Sequence, residues 1–179
     1  MTADPTCGVA HGSAAGEVHG DRLLVAVFAS PVAAALVRYG ADLGYRTVLV
    51  EPDPDRQPDG SPDVVARGFA ELGAELAGGH ADVVVTDHHR PELGELLRDA
   101  LACPTRWIGV MGNPRHEGPH VRALAALGVP PEEVARVHRP IGLDIGSRTP
   151  PEIAVSTLAG LLADRNGRTG GFAHGPAGR

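Results

Sequence analysis

Several groups of residues in this chain are of types that do chemistry. His116-Glu-Gly-Pro-His120 spells H-E-x-x-H, the zinc-protease pattern. That pattern works only on a helix, where positions i and i+4 share a face and aim two imidazoles at one metal. Gly118 and Pro119 lie inside it, and a proline within a helix costs about 3 kcal/mol or more. Pro119 reads instead as the first residue of a helix that starts after Gly118, so the two histidines straddle a helix start and no metal site is expected. Cys7, His11 and His19 fall in residues 1–20, a Gly-, Ala- and His-rich stretch without periodicity that reads as a flexible tail, and such a tail rarely fixes ligand geometry. Cys103 precedes Pro104 with only Arg106 as a nearby cation; a small buried residue is favoured over an activated thiolate. All 16 basic residues are Arg, which removes Schiff-base and Walker-type lysine chemistry, and there is no G-x-S-x-G elbow. No catalytic residue is assigned.

The remaining polar candidates make sense only through the elements that would carry them. Arg22 to Ala29 is a continuous apolar run of strand length, the mark of a strand buried on both faces. Pro31 to Leu43 follows with helical spacing of Val32, Leu36, Tyr39 and Leu43, and Gly44 ends it. Thr47 to Val50 is a second strand, closed by Glu51, so an acidic residue stands about twenty positions after the first turn, as in a dinucleotide-binding half. The glycine fingerprint of such a half is missing: the turn reads Phe28-Ala-Ser-Pro-Val-Ala33. Methyl groups and a proline ring block close approach of a pyrophosphate, and Pro31 removes one N–H donor, so ordinary NAD(P) binding is doubtful.

Further along, Asp63 to Ala66 reads as a short strand and Phe69 to Leu76 as a short helix. Asp82 to Thr86 is a strand, Glu92 to Ala102 a helix, and Arg106 to Met111 a strand. A helix with Val121, Leu124 and Leu127 follows, then a last strand at Arg136 to His138. Thr149, Pro150 and Glu152 form an N-cap, first-turn proline and capping box for a final helix, and Gly142 and Gly146 bracket a loop that projects Asp144. Strands alternating with helices at this pace give an α/β fold: a Rossmann-like, doubly wound, mainly parallel sheet of about 5–6 strands with helices on both faces. It is expected over residues 21–163, with a disordered Gly- and Arg-rich tail over 164–179. Ligands of such sheets bind at the carboxyl ends of the strands. That selects Ser30, Glu51, Thr86, His88, Gly112, Asn113, Arg115 and Asp144 as candidate cofactor-binding residues.

Composition narrows the function classes. The 179 residues are 42% hydrophobic but only 3% aromatic, so the core rests on Val, Leu, Ile and Ala. A net charge of −6 with no basic stripe is unsuited to nucleic acid. No apolar run reaches a membrane span, and no signal peptide is evident, so a cytoplasmic location is expected.

Pro140-Ile-Gly-Leu-Asp-Ile-Gly146, followed by Thr149-Pro150 and Glu152-Ile-Ala-Val-Ser156, resembles the signature that closes the Rossmann-type domain of the XdhC/CoxI family. Thr86-Asp-His-His89 resembles that family's Thr-His-Asp-His with the middle pair swapped, and Trp107-Ile-Gly-Val-Met-Gly-Asn113 resembles its Tyr-Ile-Gly-Leu-Ile-Gly-Ser. The first turn departs from the family's Gly-Ala-Gly-His. The resemblance spans residues 21–163. It implies an accessory protein without turnover chemistry of its own, serving a molybdenum hydroxylase of the xanthine or carbon monoxide dehydrogenase type. Such a protein binds molybdenum cofactor (molybdopterin) and aids its sulfuration or insertion. The implied partners are the apo molybdenum hydroxylase and a cysteine desulfurase, with homodimerisation left open. Full-length members carry a further N-terminal domain with a Gly-Gly-Cys motif that this sequence lacks; if that domain is needed to hold the cofactor, the expected role is only to dock a partner or to work beside a second subunit. The competing readings are a Rossmann-fold NAD(P)-dependent oxidoreductase, with Glu51 on a ribose hydroxyl, and a degenerate protein-docking domain.

Overall fold

Apolar runs with no polar alternation become the inner strands. β1 (Leu23–Val27) and β4 (Ala81–Val85) are buried along their whole length, and β2 (Arg46–Val50) is buried after its first residue. They are joined by β3 (Val64–Ala66), β5 (Thr105–Val110) and β6 (Val137–His138). The computed structural model describes residues 22–57, 59–112 and 118–171. Its six strands form one sheet in the order β3-β2-β1-β4-β5-β6, and every pairing is parallel. Leu23 stands opposite Arg46 on one side and Ala81 on the other, so β1 is central and the strand order reverses between β1 and β4. The expected Rossmann-like, doubly wound sheet is the observed one.

Successive side chains of a strand point to opposite faces, and the core divides accordingly. Val25, Val27, Val48, Val50, Val83, Val85, Ile108 and Val110 share one core. It is covered by a 3₁₀ turn (Phe69–Leu72), α2 (Gly73–Leu76), α3 (Leu93–Ala102) and α4 (Pro119–Ala126). Leu24, Ala26, Leu49 and Val84 face the other way, onto α1 (Pro31–Asp42) and α6 (Pro150–Arg165). A short α5 (Pro131–Val134) precedes β6. Gly40 lets α1 settle on β1, since a Cβ there would stand 2.6 Å from Leu24 Cδ2.

Local signals set the helix ends. Ser30 caps α1 by accepting the Ala33 N–H at 3.0 Å. Pro119 opens α4 after Gly118, so helical structure begins inside the H-E-x-x-H stretch and not across it. The Thr149 capping box is present: Glu152 accepts the N–H groups of Thr149 at 3.0 Å and Arg148 at 2.8 Å. Residues 69–76 divide into the 3₁₀ turn and α2 at Gly73, a residue without helical preference. At the other end of the chain α6 continues through Asp164 and Arg165, beyond the expected boundary at 163. Ion pairs from Arg106 to Asp164 (2.5 Å) and from Arg165 to Asp82 (3.0 Å) bind that last turn to the sheet. The expected tail over 1–20, with Cys7, His11 and His19, lies outside the described residues, as do Asn113, Arg115, His116 and residues 172–179. No helix among the described residues is long and apolar enough to cross a membrane.

Candidate functional site

The carboxyl ends of the strands form one rim, and the turn after β1 is its hinge. Phe28 takes φ 73°, the left-handed conformation that a glycine fingerprint supplies without strain. In a bulky residue it costs about 1–3 kcal/mol and persists only where the surroundings hold it. They do. The Phe28 N–H donates to Val50 O at 2.9 Å, the ring is fully buried, and the Arg90 guanidinium sits 4.8 Å above its centroid.

Ser30 and Thr86 are brought together, but they face the protein. Ser30 Oγ donates to Thr86 Oγ1 at 2.9 Å, and the single hydroxyl hydrogen of Thr86 is shared between the carbonyls of Val27 (3.0 Å) and Phe28 (2.9 Å). With the Ala33 N–H on Ser30, both hydroxyls fasten the β1–α1 turn to the end of β4.

Glu51 is 1% exposed and satisfied from within. Oε2 accepts the Ala29 N–H at 2.7 Å and Arg90 Nη1 at 3.3 Å; Oε1 accepts the Asp53 N–H at 3.0 Å and Arg90 Nη2 at 3.1 Å. A carboxylate offers about four acceptor sites, and four donors occupy them. The oxidoreductase reading, which put Glu51 on a ribose hydroxyl, has no acceptor left over. Arg90 is held in turn by Glu92.

The β4–β5–β6 side of the rim has a different character. His88 is partly exposed and lies beside the Met111 backbone just past β5. Burial, the neighbouring His89 ring (centroids 4.1 Å apart) and the Arg139 charge together press its pKa below the usual histidine value. Five residues therefore bridge the rim: in the loop from Asp87 to Pro91, His88 reaches toward β5 and Arg90 toward β2. Gly112 follows Met111, and the Arg139 side chain, from the end of β6, lies against its Cα. A Cβ on Gly112 would stand 2.6 Å from Arg139 Nε and 2.7 Å from Nη2. Gly118 makes room in the same way for the Arg139 stem and for the His120 ring. His120 is 5% exposed, its Nδ1 has no hydrogen-bond partner, and burial followed by the Arg139 charge lowers its pKa. Arg139 and His120 are absent from the sequence-derived set. The only sequence cue to Arg139 is its place at the end of the last strand, directly before Pro140.

Asp144 is exposed on the Gly142–Gly146 loop, and both glycines have positive φ (82° and 70°). α6 holds that loop: Ser156 Oγ donates to Leu143 O at 2.7 Å, while the Leu143 N–H donates to Ser156 O at 3.1 Å. A Cβ on Gly142 would collide with Ser156. Gly109, inside the Ile-Gly motif of β5, leaves room for the indole of Trp107, which stacks on His138 with planes 6° apart and centroids 5.1 Å apart. Cys103 is half-buried; burial and then Asp99 push its thiol pKa up, away from thiolate chemistry. Among the described residues no cluster of three His, Cys, Asp or Glu side chains could hold a metal ion.

Comparison with known proteins agrees with this architecture. A family model described as the XdhC Rossmann domain matches residues 24–161. The uncharacterized protein YqeB of Escherichia coli (strain K12) is 30% identical over 169 residues, which cover 89% of this chain and 30% of YqeB. The crystal structure of a xanthine dehydrogenase from Bacillus halodurans superposes with a TM-score of 0.64 at 24% identity, over 83% of this chain and 44% of that one. The chain thus spans less than half the length of either relative.

Proposed function

The chain belongs to the XdhC family through its Rossmann-type domain, and on that premise we propose that it is a cytoplasmic accessory protein in the maturation of a molybdenum hydroxylase of the xanthine or carbon monoxide dehydrogenase type. It takes molybdenum cofactor as cargo, without turnover chemistry of its own, and supports sulfuration or insertion of that cofactor. Its partners are the apo-hydroxylase and a cysteine desulfurase.

One observation supports the cargo site above the others: His88, Gly112 and Arg139, from the ends of three adjacent strands, converge at one place on the rim. Molybdopterin is an anion with a flat, hydrogen-bonding ring. A guanidinium matches its phosphate, a bare glycine Cα admits close approach, and His88 and the buried His120 add ring nitrogens. Asn113 and Arg115 follow Gly112 in the sequence, and Asp144 lies on the loop that follows β6. Ser30, Thr86 and Glu51 serve by positioning, because they hold the turn and the bridging loop that carry the contacting groups.

Titrating isolated molybdopterin into the protein, with NADH as the comparison, tests this reading. Saturable molybdopterin binding that falls at least about tenfold in Arg139→Ala, with no saturable NADH binding, is expected. Tight NADH binding that is indifferent to Arg139 would make the oxidoreductase reading the better one.

A further inference from the structure

We infer that the corner between α4, α5 and β6 is a small-molecule site of its own, which takes a hydrophobic monocarboxylate with its apolar body in the hollow there and its carboxylate on His120. The inference does not rest on the cargo reading, because the walls and the ligand are different and only His120 belongs to both.

The hollow follows from the brevity of the elements around it. α5 is a single helical turn opened by Pro130 and Pro131, and β6 is two residues long. Too little chain crosses this corner to close it over the core. The opening holds about 400 Å³ and is walled by Val121 and Ala125 of α4, Val129 and Val134 at and after the turn, and Val137 of β6. Val129 and Val134 pack on the main core beneath, so the floor is continuous with the apolar interior. His120 is the only polar side chain on the wall among the described residues. A largely apolar hollow of this size with a polar group placed on its wall has the form of a small-molecule pocket. A protein face needs about 20–30 residues a side, more than this corner offers.

His120 decides the polar end of the ligand. Its Nδ1–Cε1 edge is pressed on Gly118, where a Cβ would stand 2.3 Å from either atom. Arg139 approaches the same glycine, with its Cδ 3.0 Å from that point. The Nε2–Cδ2 edge is left for the hollow. The residue is 5% exposed, and Nδ1 has no hydrogen-bond partner. Burial and then the Arg139 charge keep the ring neutral at about pH 7, so it has one proton to place. On Nδ1 that proton would be an unpaired buried donor on the side of a cation. On Nε2 it is offered to the hollow. The ligand must therefore bring an acceptor to this wall, and the positive charge of Arg139 favours an anionic one.

Calorimetric titration of octanoate, octanol and acetate into the wild type, Ala125→Trp and His120→Phe tests the inference. The wild type is expected to bind octanoate saturably, at least about tenfold more tightly than octanol or acetate. Ala125 is exposed on α4, so Ala125→Trp lays an indole into the hollow from outside and is expected to weaken octanoate at least about tenfold. His120→Phe is expected to keep a site for the apolar body and to lose the preference for the acid over the alcohol. No saturable binding of octanoate to the wild type would overturn the inference. So would an unchanged affinity in a folded Ala125→Trp, or a preference for the acid that survives in a folded His120→Phe. Should His120→Phe fail to fold, the imidazole chemical shifts of His120 in the wild type carry the test. Octanoate is expected to move them, and shifts that stay in place at saturation would overturn the inference.

Discussion

The guanidinium of Arg139 lies over the Cα of Gly112, so close that a methyl group on that carbon would stand 2.6 Å from Nε. The contact is with a flexible side chain and not with backbone, so the fold tolerates the intrusion by moving Arg139. Gly112→Ala is therefore expected to leave stability within about 1 kcal/mol of wild type, as a glycine-to-alanine change at an ordinary backbone conformation does. Molybdopterin affinity is expected to fall by about tenfold or more, because the arginine no longer lies where it met the glycine. Thermal melts and cofactor titrations on the same preparation check both halves. A normal affinity would remove the Gly112–Arg139 contact from the cargo site.

A second expectation concerns the opposite end of the sheet. Asp82, at the start of β4, is 0% exposed and accepts from Arg106 at 2.6 Å, Arg165 at 3.0 Å and the Tyr45 hydroxyl at 3.3 Å. Burial, then the Asp82 charge, raises the pKa of that tyrosine. Removing one member of a buried ion pair strands its partners at a cost of about 3–5 kcal/mol. Both arginines retain some exposure (21% and 17%), so Asp82→Ala is expected toward the lower end of that range in urea denaturation. Hydrogen exchange is expected to quicken over Leu161 to Arg165, the turn of α6 that these contacts hold. Molybdopterin titrations are expected to be unchanged, since the rim lies at the other end of the strands.

Stability should also depend on pH through two histidines. His88 and His120 both have folded-state pKa values below the ordinary one, burial being the larger cause for each and Arg139 a further cause for both. For His88 the neighbouring His89 also lowers the value, while Asp87 and the Met111 backbone oppose the shift. The charge acting on His120 is that of Arg139. The unfolded chain then binds more protons than the fold wherever pH lies between the two values. Their contribution is complete above about pH 6.5 and is lost as pH falls from there through the depressed folded values. The denaturation midpoint is expected to drop over that interval, and His120→Phe is expected to flatten part of the slope. A slope unaltered by that substitution would show that His120 is not one of the groups responsible.

The sheet was legible because its determinants are local and repetitive. Parallel strands buried on both faces read as unbroken apolar runs, and Leu23–Val27 and Ala81–Val85 are such runs. The Thr149 cap and the helix start at Pro119 were legible for the same reason: each is decided within four residues. The rim was legible only as a set of residue types. Glu51 stands where the sequence puts it, yet whether it meets a ligand or an arginine is decided by Arg90, 39 residues away. Ser30 and Thr86 were found by position, but the direction of their hydroxyls follows from a contact across 56 residues. Arg139 carried no motif, and its importance arises from two glycines in another part of the chain. Periodicity records which face a residue takes; it holds no record of which distant side chain comes to meet it.

The bridging loop after β4 touches both halves of the rim, with His88 beside the Met111 backbone and Arg90 on Glu51. Five residues thus carry a contact to each bank, and loosening either one is expected to show as faster hydrogen exchange along the whole span from Asp87 to Pro91.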